Sequence, residues 1–181
     1  AGAAGMMSAI EAAKRGRKVL LVDHYKKIGE KIRISGGGRC NFTNINTNPS
    51  KFLSQNPKYV RSALSQYTQN DFINLIKKHE IDFHEKKLGQ LFCDHSAQQI
   101  VEMLLKECEL ANVTILKEFI VKDVSKDNDQ YLVSTETEQY SCQSLIIATG
   151  GLSVPKIGAT SFGYEIAKKF DHNIIETLPA L

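Results

Sequence analysis

Two glycines at the start of the chain have the spacing of a phosphate-binding turn. Gly2 and Gly5, in the opening run Ala-Gly-Ala-Ala-Gly, match the last two glycines of G-x-G-x-x-G, with Ala4 between them. In such a turn the backbone N–H groups approach a pyrophosphate closely. The turn also requires a preceding strand, so we expect the chain to be the truncated front part of a longer protein. The pattern favours dinucleotide binding over an ordinary helix-packing turn.

The residues that follow fit the same motif. Apolar residues recur at helical spacing over Met6–Ala13, and Gly16 provides a stop signal. The run Lys18–Asp23 then predicts a fully buried parallel strand that ends in an acidic residue. Asp23 lies eighteen residues beyond Gly5, about where this motif places the carboxylate that binds the ribose hydroxyls.

A second unusual stretch is Ile-Ser-Gly-Gly-Gly-Arg-Cys-Asn-Phe-Thr-Asn, residues 34–44. Three consecutive glycines, Gly36, Gly37 and Gly38, indicate a backbone that passes close to a ligand or to another segment. The neighbouring hydrogen-bond donors suit a phosphate or a polar heterocycle; they are Ser35, Arg39, Asn41, Thr43 and Asn44. A flexible surface loop with an exposed arginine is the alternative.

A third stretch places small residues after an apolar run. Leu145–Ala148 predicts a buried strand, and Thr149, Gly150 and Gly151 follow it. Ligands bind at the carboxyl ends of the strands in open α/β sheets. A helix is predicted next, with its cap at 160 or 161; Gly158 and Gly163 either let its N-terminus approach a phosphate or a flavin ring, or are plain turn glycines.

The rest of the pattern predicts a helical and hairpin insert followed by a meander. We expect helices over 57–67 and from an Asn70 cap, a hairpin over 81–93, and a helix from Ser96 to Leu110. A short strand at 112–116, a three-stranded antiparallel meander at 119–143, and a strand that enters a Pro-containing connection within 173–181 complete the prediction. We divide the chain into 1–48, 49–95 and 96–181: a nucleotide-binding segment, the insert, and the continued nucleotide-binding domain.

Composition restricts the classes of function. The net charge of +3 is small and its signs are interspersed, which gives no electrostatic case for nucleic acid. Four cysteines without a C-x-x-C pair predict reduced thiols, a cytoplasmic protein and no metal site. No apolar run approaches the length of a membrane span.

Three motifs together resemble one family: Ala-Gly-Ala-Ala-Gly, residues 34–44, and residues 146–170. The resemblance is to the BaiN/YhiN-like FAD-dependent oxidoreductases, which include aminoacetone oxidase-like proteins and reductases of bile-acid intermediates. More distantly, the layout is similar to the FAD fold of the glutathione-reductase type. The resemblance implies an α/β, Rossmann-like FAD-binding domain with a β-meander and an insert.

The resemblance also implies a role for each motif. Gly2 and Gly5 would face the pyrophosphate of FAD and Asp23 its adenosine ribose, while Val121, in a strand before the meander, would meet the adenine. The loop Gly36–Asn41 would reach from the pyrophosphate to the isoalloxazine ring, with Arg39 stabilising the reduced flavin and Cys40 as a small residue near the ring. Thr149–Gly151 would close over the cofactor.

The predicted function is an FAD-dependent oxidoreductase that transfers a hydride between a small organic substrate and flavin, with NAD(P)H as a candidate electron donor. The alternative is a nucleotide-binding module that uses FAD or NAD(P) without redox turnover. A third hypothesis is that these residues alone bind no cofactor.

No residue is identified as the substrate's acid or base: His79 is interpreted as a helix-end residue, and His84 and Glu85 project to opposite faces of a strand. Asp171 stands where the family has a helix-ending glycine.

Overall fold

A computed structural model describes residues 1–178 of the chain. Contacts divide it into a first unit, Ala1–Glu30 with the residues from Glu107 onward, and a second unit, Lys31–Lys106. The predicted insert 49–95 lies inside the second unit, which also takes in 31–48 and 96–106. The three-part domain assignment itself stays a prediction.

The first unit begins with the predicted helix and strand. Helix α1 covers Ala3–Lys14 and buries Met6, Ala9 and Ile10, and strand β1 covers Leu20–Val22. Strand β1 pairs in parallel with β5, Thr114–Leu116, which confirms a short strand there. The expectation that β1 is fully buried is wrong: the side chain of Leu20 is half-exposed. Its burial is partial because β5 is the one strand that pairs with it among residues 1–178.

The meander is confirmed in the same unit. Strands β6 (Asp123–Asp127), β7 (Gln130–Ser134) and β8 (Gln139–Cys142) pair antiparallel in sequence order. Helix α6, Phe162–Lys169, follows the loop after the meander. Its end contacts the meander, because Lys169 Nζ lies 2.5 Å from Asp123 Oδ1. That hydrogen bond lowers the pKa of the Asp123 carboxyl.

Two predicted strands of this unit are corrected. Residues 145–148 form no strand in the structure, and Ile146 is 62% exposed. A strand is defined by its hydrogen-bonded neighbour, and none pairs with this segment among the described residues. Residues 173–178 also form no strand; the last three residues of that predicted segment lie outside the described part.

The second unit contains a three-stranded sheet that sequence analysis recognised in part. The hairpin of β3 (Phe83–Glu85) and β4 (Gln90–Cys93) is confirmed. Strand β2, Asn41–Asn44, is not predicted; it pairs antiparallel with β4, so that the order is β2-β4-β3. Four of the eleven residues of the predicted ligand stretch 34–44 therefore form a strand at the edge of this sheet.

Helices of the second unit begin at other residues than predicted. Helix α2 covers Glu30–Ile34, and α3 covers only Arg61–Gln66, because the carbonyl oxygen of Asn56 holds the preceding residues in a turn. Helix α4, Gln69–Lys78, is capped by Thr68 rather than Asn70, since Thr68 forms a reciprocal capping box with Asp71.

The end of α4 and the start of α5 agree with the predictions. His79 is the C-terminal cap of α4, as expected of a helix-end residue. Helix α5 covers Gln98–Leu110, and Ser96 Oγ accepts a hydrogen bond from the Gln98 N–H. No helix among residues 1–178 has both the length and the apolar composition that crossing a membrane requires.

Candidate functional site

The start of α1 has the two kinds of glycine that a nucleotide turn needs. Among residues 1–178, no atom would lie within 4 Å of a Cβ atom on Gly2, so these residues leave its backbone open. A Cβ atom on Gly5 would lie 3.3 Å from Leu21 Cδ1 and 3.6 Å from Ala148 Cβ. Gly5 therefore permits close packing of α1, whereas Gly2 permits close approach from outside. The first turn of α1 itself contains no acidic residue.

Asp23 lies at the same end of the first unit. Its Oδ2 atom is 2.8 Å from the amino nitrogen of Ala1, and its Oδ1 atom accepts a hydrogen bond of 2.8 Å from the Tyr25 N–H. A carboxylate has about four lone-pair positions. Asp23 thus retains acceptor capacity for hydroxyl groups while its orientation is fixed by the backbone.

Val121 is not in a strand, contrary to the expectation. It lies in the connection between β5 and β6, where β6 begins only at Asp123. The connection runs beside Asp23, because the Phe119 N–H donates to the Asp23 carbonyl oxygen at 2.9 Å. This backbone hydrogen bond from Phe119 to Asp23 takes the place of the strand hydrogen bonds that the sequence pattern predicts for the segment.

The segment Thr149–Gly151 packs against the first turn of α6. A Cβ atom on Gly163 would lie 2.6 Å from Thr149 Oγ1, and one on Gly151 would lie 3.7 Å from the Tyr164 hydroxyl oxygen. This segment therefore lies in close contact with the helix that follows it, a contact that the sequence analysis does not predict. Gly163 is a packing glycine here rather than a plain turn residue.

The loop that connects Thr149–Gly151 to α6 has unusual backbone conformations. Gly150 has φ 76°, and Val154 has φ 58°, in the left-handed region that β-branched residues seldom adopt. Gly158, with φ 83°, brings the backbone against the rings of His24 and Tyr25. Tight packing against these rings, just after Asp23, holds the loop at this end of the first unit.

The three consecutive glycines of the second unit include one packed and two open residues, much as Gly5 is packed and Gly2 is open in the first unit. Gly36, Gly37 and Gly38 have φ values of 57°, 67° and 83°, a succession that only glycine adopts routinely. A Cβ atom on Gly36 would lie 2.6 Å from the Asn41 nitrogen and 2.8 Å from the Phe92 ring. One on Gly37 or Gly38 would meet no atom within 4 Å in the described part of the chain. Gly36 is thus a packing residue, and Gly37 and Gly38 are the open ones.

Arg39 links this loop to the strand end that follows β4. Its guanidinium donates to the backbone carbonyl oxygen of Asp94, and its own carbonyl oxygen accepts a hydrogen bond of 2.9 Å from the Cys93 N–H. A guanidinium has five N–H donors, so the contact with Asp94 leaves donors for an anion. The loop is consequently fixed at both its backbone and its one charged side chain.

His84 and Asp94 form a pair that sequence analysis missed. His84 Nδ1 lies 2.5 Å from Asp94 Oδ1, and both side chains are partly exposed. A histidine fixed by a carboxylate at Nδ1 presents Nε2 for proton transfer. Because the two residues are ten positions apart, the pair depends on the β3–β4 pairing, and no local motif signals it.

Aromatic and cationic side chains adjoin this pair. The His84 ring is stacked on Phe92 at 6.3 Å between centroids, and Lys86 Nζ lies 5.2 Å from the Phe92 centroid. Phe92 also packs on Gly36. The glycine loop, Arg39 and the His84–Asp94 pair therefore form one contiguous cluster within the second unit.

The cysteines behave as core thiols. All four are free, and Cys40, Cys93 and Cys108 are buried. Burial raises the pKa of Cys40, and burial together with the neighbouring Cys40 and Asp94 raises that of Cys93 to about 11. Thiols with raised pKa values are poor nucleophiles at neutral pH. These values support the interpretation of Cys40 as a small structural residue.

The predicted site residues thus fall into two sets. Gly2, Gly5, Asp23, Val121 and the segment Thr149–Gly151 belong to the first unit, as does Ala4 in the first turn of α1. The loop Gly36–Asn41 belongs to the second unit. Among the residues that the structure describes, no group of three or more His, Cys, Asp or Glu side chains could hold a metal ion.

Comparison with known proteins identifies the family. Residues 1–178 match the family model described as the HI0933-like protein Rossmann domain. The chain therefore belongs to this family of Rossmann-like α/β FAD-binding domains, the same family as the BaiN/YhiN-like proteins, as the resemblance implied.

Several curated proteins are similar to the chain. The ribosomal RNA dihydrouridine synthase of Escherichia coli (strain K12) is 52% identical over 181 residues, which is 100% of this chain and 45% of that protein. The synthase of the same name in Haemophilus influenzae (strain ATCC 51907 / DSM 11121 / KW20 / Rd) is 50% identical, over 97% of this chain and 45% of that protein.

A more distant relative carries the name of a reductase. The 3-dehydro-bile acid delta(4,6)-reductase of Clostridium scindens (strain ATCC 35704 / DSM 5676 / VPI 13733 / 19) is 25% identical, over 99% of this chain and 44% of that protein. The chain thus spans less than half the length of these relatives.

Proposed function

We propose that the protein is an FAD-dependent reductase that forms dihydrouridine in ribosomal RNA. The observation that carries the flavin part is the start of α1, where the open backbone of Gly2 and the carboxylate of Asp23 lie at one end of the unit. The substrate part rests on relatives of that name at 52% and 50% identity. The proposed substrate is thus a base in RNA, in place of the small organic molecule that the sequence analysis predicts.

The residues of the first unit fit FAD. The start of α1 offers backbone N–H groups and an open approach for the pyrophosphate, and Asp23 keeps lone pairs for the ribose hydroxyls. Val121 lies in the segment held beside Asp23 by the Phe119 N–H, so its backbone is a candidate for the adenine. Thr149–Gly151, fixed on α6, is the candidate cover over the cofactor.

The loop of the second unit fits the flavin end. Gly37 and Gly38 leave the backbone uncovered, and Arg39 has guanidinium donors beyond the one used for Asp94. We assign Gly36–Asn41 the isoalloxazine side of the cofactor, as the family resemblance implies. Reduced FAD, when bound, supplies a hydride for the C6 atom of a uracil ring.

Saturating the C5–C6 bond of uracil also requires a proton at C5. We assign this proton to Nε2 of His84, because Asp94 holds the imidazole in place at Nδ1. The proton leaves the imidazolium as the C5–H bond forms, and His84 is left neutral. Arg39 holds Asp94 from its backbone side, so the glycine loop and the proton donor are positioned together.

The test is a single-turnover reaction with the full-length protein. Unmodified ribosomal RNA, transcribed in vitro, is incubated with the flavin-loaded protein and NADPH, and its nucleosides are analysed by mass spectrometry. The proposal predicts that one uridine gains two hydrogen atoms. Bound flavin with no dihydrouridine would overturn the substrate, whereas absence of flavin would overturn the oxidoreductase. A flavin that is never reduced would instead favour a nucleotide-binding module.

A further inference from the structure

The connection between β2 and α4 is an exposed arm, residues 45–67, and it does not contribute to the core. No residue from Asn41 to Phe72 is buried. The arm is held by local contacts instead: Asn48 Oδ1 accepts hydrogen bonds from the Ser50 N–H and hydroxyl, and Ser54 Oγ donates to the Asn56 carbonyl oxygen. Packing in the core therefore does not dictate which amino acids the arm contains.

Large apolar and aromatic side chains are nevertheless concentrated on this arm. Leu53 is 96% exposed and Tyr59 is 79% exposed. Phe52 and Leu53 line an open concavity together with Pro57 and Arg61. Exposed aromatic groups that do not serve the fold point to a binding surface.

The charge of the arm identifies the kind of partner. Residues 31–70 contain six Lys or Arg and no Asp or Glu, although acidic residues occur on both sides of this stretch. The second unit carries eleven Lys or Arg against six Asp or Glu, a net charge of +5, whereas the first unit carries twelve against fourteen, a net charge of −2. The excess of positive charge is thus confined to the unit with the arm.

We infer that the arm is an RNA-binding surface, on which Lys58 and Arg61 contact phosphates and Tyr59 stacks on an unpaired base. Proteins bind single-stranded RNA by this combination of a cationic surface and exposed aromatic rings. Lys51 and Phe52 extend the same surface. The inference rests on the proposed function for its choice of RNA, and it assigns binding to residues outside the reaction centre.

The experiment measures binding of the full-length, flavin-loaded protein to a single-stranded oligouridylate of about 20 nucleotides, longer than the site of one binding module. Fluorescence anisotropy is recorded over a range of salt concentrations. Lys58→Ala combined with Arg61→Ala should weaken binding at least about ten-fold and lower the salt slope by about 1.4, since each lost phosphate contact removes about 0.7.

Tyr59 provides a second, independent variant. Tyr59→Ala should weaken binding about 5- to 100-fold with an unchanged salt slope, because stacking on a base involves no counterion. Tyr59→Phe should bind like the wild type, since the ring is kept. Lys117→Ala combined with Lys126→Ala is the matched control: both side chains are exposed on the first unit, and binding should change less than about two-fold.

The outcomes separate this inference from the proposed function. If the wild type binds RNA and the arm variants bind equally well, the arm is not the surface and the function stands. If the flavin-loaded wild type binds neither the oligouridylate nor ribosomal RNA, both the surface and the RNA substrate are overturned. Loss of thermal stability in Tyr59→Ala with RNA binding retained would show that the ring packs within the protein, which also overturns the inference.

Discussion

Gly36 and Gly37 are neighbours with opposite structural demands. A Cβ atom on Gly36 would overlap the Asn41 nitrogen and Phe92, whereas one on Gly37 would meet no atom, although both residues have positive φ. Gly36→Ala should lower the free energy of unfolding by about 2–4 kcal/mol, and Gly37→Ala by only about 1 kcal/mol. Urea unfolding followed by circular dichroism checks this.

The two variants should differ in the opposite direction in FAD affinity, where Gly37→Ala has the larger effect. Gly37→Ala should weaken FAD binding in a protein that is still folded, because its methyl group occupies the open face of the loop. Equal stability of Gly36→Ala and Gly37→Ala would contradict the packing role assigned to Gly36.

Cys93 should make the free energy of unfolding depend on pH. Its side chain is 0% exposed, and burial raises the pKa of the thiol to about 11 from its ordinary value near 9. Above the unfolded value the unfolded chain loses the proton first, so stability falls as pH rises from about 9 to about 11. The thiol accounts for a loss on the order of 2–3 kcal/mol.

The measurement compares wild type with Cys93→Ala in urea unfolding at pH 8 to 11. The variant loses stability at every pH through its cavity, yet its decline with pH should be shallower. Parallel curves for the two proteins would show that Cys93 does not titrate in this range.

Asp94 is expected to act through its partner His84, which donates the proton. His84→Gln should lower the rate of dihydrouridine formation by about 100-fold or more, the usual contribution of a general acid. Asp94→Asn should act in the same direction with flavin content unchanged. The structural readout is the imidazole ¹⁵N spectrum of the resting protein: the Nδ1–H signal of His84 should shift in Asp94→Asn, and an unshifted signal would refute the pairing.

Helix α6 ends in a conformation that its sequence does not favour. Its C-terminal cap is Phe170, and the following residue, Asp171, has φ 58°. Glycine is preferred at this position because it has no Cβ penalty in the left-handed region. Asp171→Gly should therefore raise the free energy of unfolding by about 0.5–1 kcal/mol.

Asp171→Ala is the matched control for this cap. It keeps the Cβ atom and should give no gain in stability, as thermal unfolding of the two variants would show. A gain in both variants would assign the effect to the lost carboxylate charge rather than to the backbone.

Elements with a local signal were predictable from sequence. The glycine turn and apolar spacing give α1, and alternation with polar turns gives the meander and the β3–β4 hairpin. Strand β2 was missed because Asn41–Asn44 has no strand pattern, and its pairing with β4 decides its conformation. Leu145–Ala148 shows the converse: an apolar run predicts a strand, but no neighbour among residues 1–178 pairs with it.

In the candidate site too, residues that belong to a local motif were predictable, and contacts between distant parts of the chain were not. Gly2, Gly5 and Asp23 follow from spacing alone, and the structure shows which glycine is open and which one packs. The His84–Asp94 pair could not be predicted, since it joins residues that only the hairpin brings together. Likewise, the whole-chain net charge of +3 hides the opposite signs of the two units, so the charge argument against nucleic acid does not extend to the second unit.

The flavin is the central claim for the whole molecule. The most direct test is the absorption spectrum of the purified full-length protein, before and after denaturation, compared between wild type and Gly2→Val, whose side chain would fill the open turn at the start of α1. The account predicts about one FAD per wild-type chain and a strong loss in the variant. No flavin in the wild type after addition of FAD, or full occupancy in Gly2→Val, would contradict it.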